Sequence, residues 1–183
     1  MPRRRPTGAR PATALALVLA ALALPARADE PRAVKRGSLS PLLSQTHDRG
    51  PAPRAERHRV IVGLALRNRD ALESFLADVQ DPASPRYRRF LTQEEFNALH
   101  APSAVDEDAL AAYLVQSGLT VTERTPNRLL VGAGGSVAAL ERAFGVAIHA
   151  VDYRGRRHYA AINEPSFPAE LADLVVGVIG LGR

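Results

Sequence analysis

The chain has 183 residues, 46% hydrophobic and 23% charged, the balance of one globular domain. Cysteine is absent, which excludes disulfides, thiolate metal sites, iron–sulfur clusters and cysteine nucleophiles. Trp is also absent and aromatics are 5%, too few for a base-stacking platform. The net charge of +5 resides in residues 1–28, which hold five arginines and no acid; the remainder balances 19 basic against 19 acidic residues, so no nucleic-acid partner is implied.

Ala12 to Leu24 is apolar except for Thr13, and its 13 residues fall short of the ~20 that span a bilayer as a helix. Arginines precede it and Ala26-Arg27-Ala28 follows as a small-x-small site. That order is a secretory signal peptide over residues 1–28, cut between Ala28 and Asp29. The mature chain is expected to be secreted or periplasmic, with no membrane anchor of its own. Residues 29–56 carry Pro31, Pro41, Pro51 and Pro53 with little periodicity and read as a flexible leader. Ordered patterning, and with it the domain, is expected over residues 57–183.

Val60 to Leu66 reads as a strand that is apolar on both faces, which predicts a cover on each. Asp70 and Glu73 then resemble a capping box, and Leu72, Phe75, Leu76 and Val79 form a helical stripe. Asp81-Pro82-Ala83-Ser84-Pro85-Arg86-Tyr87 reads as a loop. Tyr87, Phe90 and Phe96 are expected to anchor it to the core. Thr92 with Glu95, and Ser103 with Asp106, are two further capping boxes. The helix after Ser103 should bury Val105, Leu110, Tyr113 and Leu114 and stop at Gly118. Strands follow at about Leu119–Glu123 and Arg128–Val131. Ser136 caps a helix that ends at Gly145, and Ala147–Tyr153 with Arg156–Ile162 form a hairpin about Arg154-Gly155. A short helix begins near Pro168. This order predicts an α+β domain close to a ferredoxin-like split βαβ arrangement, an antiparallel sheet with helices on one face.

Motifs for chemistry are missing. Gly132-Ala133-Gly134-Gly135 lies between a strand and a helix, but a dinucleotide fingerprint would need glycine where Val137 stands. The run is therefore read as a tight turn. His47, His58, His100, His149 and His158 show no metal-ligand spacing. The acidic pairs Glu94-Glu95 and Asp106-Glu107-Asp108 fall in first helical turns, where carboxylates complement the helix dipole. No serine has a nucleophile-elbow context. The residues describe a secreted binding domain rather than an enzyme.

The run Asp81-Pro82-Ala83-Ser84-Pro85-Arg86-Tyr87, continuing through Phe90-Leu91-Thr92 to Phe96, resembles the signature of the pro-kumamolisin activation domain, the N-terminal propeptide of sedolisin-type serine-carboxyl peptidases. Val60–Asp70, Tyr113-Leu114, Gly118–Val121, Phe144 and Val175–Leu181 extend the resemblance over residues 58–181. It implies a propeptide that assists folding of a peptidase catalytic domain, covers its active site and is released under acidic conditions. It also implies that the partner is that catalytic domain, in cis or in trans, and that calcium belongs to the peptidase, with no cofactor in this chain. None of the family's catalytic motifs has a counterpart here, so no catalytic residue carries over. A free-standing secreted inhibitor or an unrelated binding module is the alternative. Acid release would need a titrating contact. With a turn at Arg154-Gly155, His149 and His158 share one hairpin face, and they are the candidate pH sensors if that face meets the peptidase.

Secreted protein should have an intact mass corresponding to an N-terminus at Asp29; a mature product that retains Ala12–Leu24 would overturn the signal-peptide reading.

Overall fold

The computed structural model describes residues 31–182. The predicted cleavage residues Ala26, Ala28 and Asp29 lie outside the described residues. From Arg32 onward the expected leader is built into the fold. β1 (Arg32–Val34) pairs antiparallel with β8 (Ser166–Pro168), and β2 (His47–Pro51) pairs with β6 (Ile148–Tyr153). Between them, Leu43–Gln45 forms one turn of 3-10 helix. The prolines misled the sequence reading because they sit before β1, between the strands and at the end of β2, where an edge strand tolerates a missing N–H. Arg32 also ties β1 down through its side chain. Its guanidinium donates to the Ala143 carbonyl at 2.8 Å, the Ser166 hydroxyl at 3.0 Å and the Tyr113 hydroxyl at 3.2 Å.

The central layer is a four-stranded antiparallel sheet in the order β4-β5-β3-β9. Its strands are β3 (Arg57–Leu64), β4 (Thr120–Arg124), β5 (Leu130–Ser136) and β9 (Val175–Ile179). Alternation along β3 sends Val60, Val62 and Leu64 to a buried face with Val131, Ala133 and Val178. That face is covered by α3 (Ala104–Gln116), which buries Leu110 and Leu114, and by α4 (Val137–Phe144), which buries Leu140 and Phe144. Phe144 and Phe167 meet edge to face at 5.5 Å and close the core beside β8.

The opposite face of β3 is not covered. Ile61 pairs with Ile179 on one side and Gly132 on the other, and the two isoleucines are 38% and 70% exposed. Of the two covers that the apolar faces call for, the described residues supply one. The helices that bury their apolar faces on the sheet lie on one side, and alternation leaves the other apolar row bare.

The glycine run is also corrected. Gly132, Gly134 and Gly135 are strand residues inside β5, not a turn. A Cβ at position 135 would lie 2.5 Å from the Leu119 side chain, and one at 132 would lie 3.1 Å from the Glu123 Cβ. Close approach, not turn geometry, is what glycine supplies here.

The capping boxes predict two helix starts correctly. Thr92 opens α2 (Gln93–Leu99) and Ser103 opens α3, each with reciprocal bonds to Glu95 and Asp106. The first helix differs. α1 (Arg69–Gln80) starts after Asn68 rather than Asp70, because the left-handed Asn68 turns its amide away to donate to the Leu99 carbonyl at 2.8 Å. Glu73 pairs with Arg69 at 3.0 Å instead of capping. Only Val79 of the α1 stripe is buried, and Leu76 is exposed. Val105 likewise points to solvent at 76% exposure.

A second sheet, β2-β6-β7, contains the predicted hairpin, with β7 at Arg156–Ala161 and Tyr153 opposite Arg156. Arg154 and Gly155 both have positive φ, 50° and 74°, the twist that a two-residue hairpin loop prefers. The Ala161 N–H donates to the Leu181 carbonyl at 2.7 Å, which stitches β7 to the chain leaving β9. The short helix α5 (Ala169–Ala172) follows Pro168, as predicted.

Arg32→Ala should lower stability by about 1–2 kcal/mol, because it removes the guanidinium bonds to the part-buried Ala143 carbonyl and to Ser166. Phe144→Ala should cost about 3–5 kcal/mol. Urea melts of the secreted chain test both; an Arg32→Ala midpoint equal to wild type would mean that the N-terminal strand is not part of the folded unit.

Candidate interaction site

The signature segment is a rigid, self-bonded loop. Asp81 Oδ1 accepts from the Ala83 N–H at 2.9 Å, and the Ser84 hydroxyl accepts from the Arg86 N–H at 3.1 Å. Three successive turns follow, closed by Ser84 N–H to Asp81, Tyr87 N–H to Ser84 and Arg89 N–H to Arg86. The prolines at 82 and 85 suit these turns by fixing φ. Arg88 takes a left-handed φ of 57° and sends its N–H back to the Val79 carbonyl, which moors the loop to α1. The Glu95 N–H donates to Thr92 Oγ1 at 3.2 Å, and the Thr92 N–H and hydroxyl both donate to Glu95 Oε2, at 2.8 and 2.9 Å. These bonds to the Thr92 backbone and side chain hold the Glu95 carboxyl below its usual range. Backbone and capping bonds therefore account for Asp81, Pro82, Ser84, Pro85 and Thr92. The aromatics do not anchor as expected. Phe96 and Leu91 are half-buried, but Tyr87 is exposed and Phe90 is 75% exposed. The turns that close the loop aim Phe90 outward.

His149 and His158 lie on one hairpin face, as the register predicts, with Val151 opposite His158. The chain's own N-terminal segment occupies this face. Leu42, Leu43 and Thr46 line a groove with Val151, Tyr153 and His158. His149 Nδ1 stands 2.8 Å from both oxygens of Asp48. Asp48 also accepts from the Gly50 N–H at 2.8 Å. The Gly50 bond first, then His149, holds the Asp48 carboxyl below its usual range. His149 is thus already partnered within the chain. His58 Nε2 and His100 Nδ1 are buried without a hydrogen-bond partner, and His58 packs edge-on against Tyr159.

The third feature is the bare sheet face, which the two apolar faces of the Val60–Leu66 strand anticipate. Ile61, Leu130, Val176 and Ile179 are exposed on or beside it, and Gly63, Gly132 and Gly134 leave positions of it without side chains. Its readable signal was Val175-Val176-Gly177-Val178-Ile179, apolar on both faces like its neighbour β3. Among the described residues no group of three or more His, Asp or Glu could hold a metal ion, and no helix is long and apolar enough to cross a membrane.

These features define an α+β domain with an exposed apolar patch on one sheet face and an aromatic-basic loop. Residues 44–183 match the model of the family described as pro-kumamolisin, activation domain, and the chain belongs to that family. Xanthomonalisin of Xanthomonas sp. (strain T-22) is 40% identical over 122 residues, which cover 67% of this chain and 15% of the relative. Sedolisin of Pseudomonas sp. (strain 101) is 28% identical over 82% of the chain and 24% of its own length. Kumamolisin of Bacillus sp. (strain MN-32) is 30% identical over 86% and 28%. These relatives are sedolisin-family peptidases, and the chain spans less than a third of each.

The pH dependence follows from Asp48 and Glu95. A carboxylate held below its usual range stabilises the fold above that range and loses its contribution as pH falls through it. The stability gap between wild type and Asp48→Asn should be constant above pH 3.8 and close below it. That for Glu95→Gln should close below pH 4.5. Denaturant melts from pH 7 to 2 read both; a gap that widens in acid would contradict the assignment.

Proposed function

We propose that this chain is the propeptide of a secreted sedolisin-type peptidase, which docks its open sheet face on the catalytic domain, assists its folding and holds it inactive. The carrying observation is the bare apolar face around Ile61 and Ile179. Apolar surface gains about 25 cal/mol for each Å² removed from water, so covering the exposed Ile61, Val176 and Ile179 would favour docking. We read the scaffold as ferredoxin-like. In chain order the main strands are β3, β4, β5 and β9, and their spatial order with crossover helices α3 and α4 supports that reading.

In this role the chain itself hydrolyses nothing, and the reactive groups and calcium belong to the catalytic domain. The same face serves in cis within a precursor or in trans as a free-standing inhibitor. We assign release in acid to carboxylate contacts rather than to His149, whose Asp48 partner lies within the chain. Asp48 holds the β2 clasp and Glu95 the loop terminus, and each contact weakens once its carboxyl, held below the usual range, takes up a proton.

Inhibition of mature xanthomonalisin by the purified chain tests the reading. The wild-type chain should inhibit, and Ile179→Asp should weaken inhibition by about tenfold or more with little change in melting, since position 179 is exposed. Equal inhibition by the two proteins would show that the sheet face does not dock.

A further inference from the structure

The loop from Asp81 to Thr92 holds side chains that the fold does not use. Phe90 is three-quarters exposed on a segment closed by consecutive turns. Arg88 and Arg89 make no ion pair among the described residues, while Arg86 lies 3.4 Å from Asp78. Arg88 leans only on the adjacent Tyr87 ring, at 5.8 Å. With Asp81 as its single acid, the loop carries a net +2. An aromatic flanked by arginines is the composition of an interface hot spot, and here its ordering cost is already met in the free domain.

Position adds a second argument. A groove between α1 and the loop is lined by Phe75, Arg86, Leu91 and Leu99 and is bounded by Arg69. Arg69 also bounds an apolar groove at the end of the open sheet face, lined by Gly63, Leu66, Leu130 and Val176. The loop therefore continues the sheet face around the end of α1.

We infer that this loop is a second docking element, with Phe90 as an apolar anchor and Arg88 and Arg89 pairing with carboxylates on the surface of the peptidase domain. The inference rests on the propeptide reading above and adds the chemistry of the partner surface. Arginine suits this task because its planar fork binds carboxylates through paired hydrogen bonds. Rim charges of this kind raise the association rate and make it sensitive to salt.

The test uses the full secreted chain and mature xanthomonalisin as the probe, with binding followed from low to high ionic strength. Phe90→Ala should weaken binding by about tenfold. The double variant Arg88→Asn/Arg89→Gln should slow association and flatten its salt dependence; Asn is chosen at 88 because it tolerates the left-handed backbone. Melting curves should match wild type for Phe90→Ala, whose ring is solvent-facing. If Ile179→Asp abolishes binding while both loop variants bind like wild type with an unchanged salt slope, the loop is not a docking element and the propeptide reading stands. If the wild-type chain does not bind, both fall together.

Discussion

One-sided burial of β3 organises this molecule. Val60, Val62 and Leu64 pack against α3 and α4, while Ile61 on the opposite face meets only its strand neighbours. A sheet with helices on one side must leave its other side wet, and polar residues normally meet that condition. Here Ile61, Val176, Ile179 and glycines form an apolar patch on that side, beside Arg59 and Glu123. The fold is complete as a core and incomplete as a surface, and that incompleteness is its clearest functional statement.

The remaining elements make the open face rigid. Strand β5 is threaded with glycines so that β4 and Leu119 approach closely. The N-terminal segment clamps the second sheet and β8 through Arg32 and Asp48, so the hairpin cannot drift from the core. The Ala161–Leu181 bond ties that hairpin to the strand after which the chain ends. A docking surface supported in this way loses little conformational freedom on binding, which favours affinity without new contacts.

Local signals in the sequence were legible where they acted locally. Two capping boxes, the hairpin turn at Arg154-Gly155 and the glycine stop at Gly118 all appear where spacing placed them. Failures came where tertiary contacts overrode local preference. Asn68, not Asp70, opens α1 because its amide has a partner on α2. The proline-rich segment before Arg57 is ordered by strands more than 90 residues away in the chain, which composition cannot reveal. The glycine run is strand because its neighbours are close, not because its backbone must turn. The candidate site was half visible: the signature loop and the shared histidine face were read correctly as positions, but not which side chains would be left to solvent or that Asp48 would meet His149.

The absence of cysteine from the chain offers a direct test of the open face. An Ile179→Cys variant places a single thiol on β9 beside Ile61, and Val115→Cys places one on exposed α3, on the covered side of the sheet. Thiol labelling, read by the mass of this chain, is measured alone and with saturating mature xanthomonalisin. Labelling at position 179 should slow strongly in the complex while labelling at 115 does not change. Labelling at 179 that proceeds at the same rate in both states would contradict the account, because the face proposed to be covered would remain open.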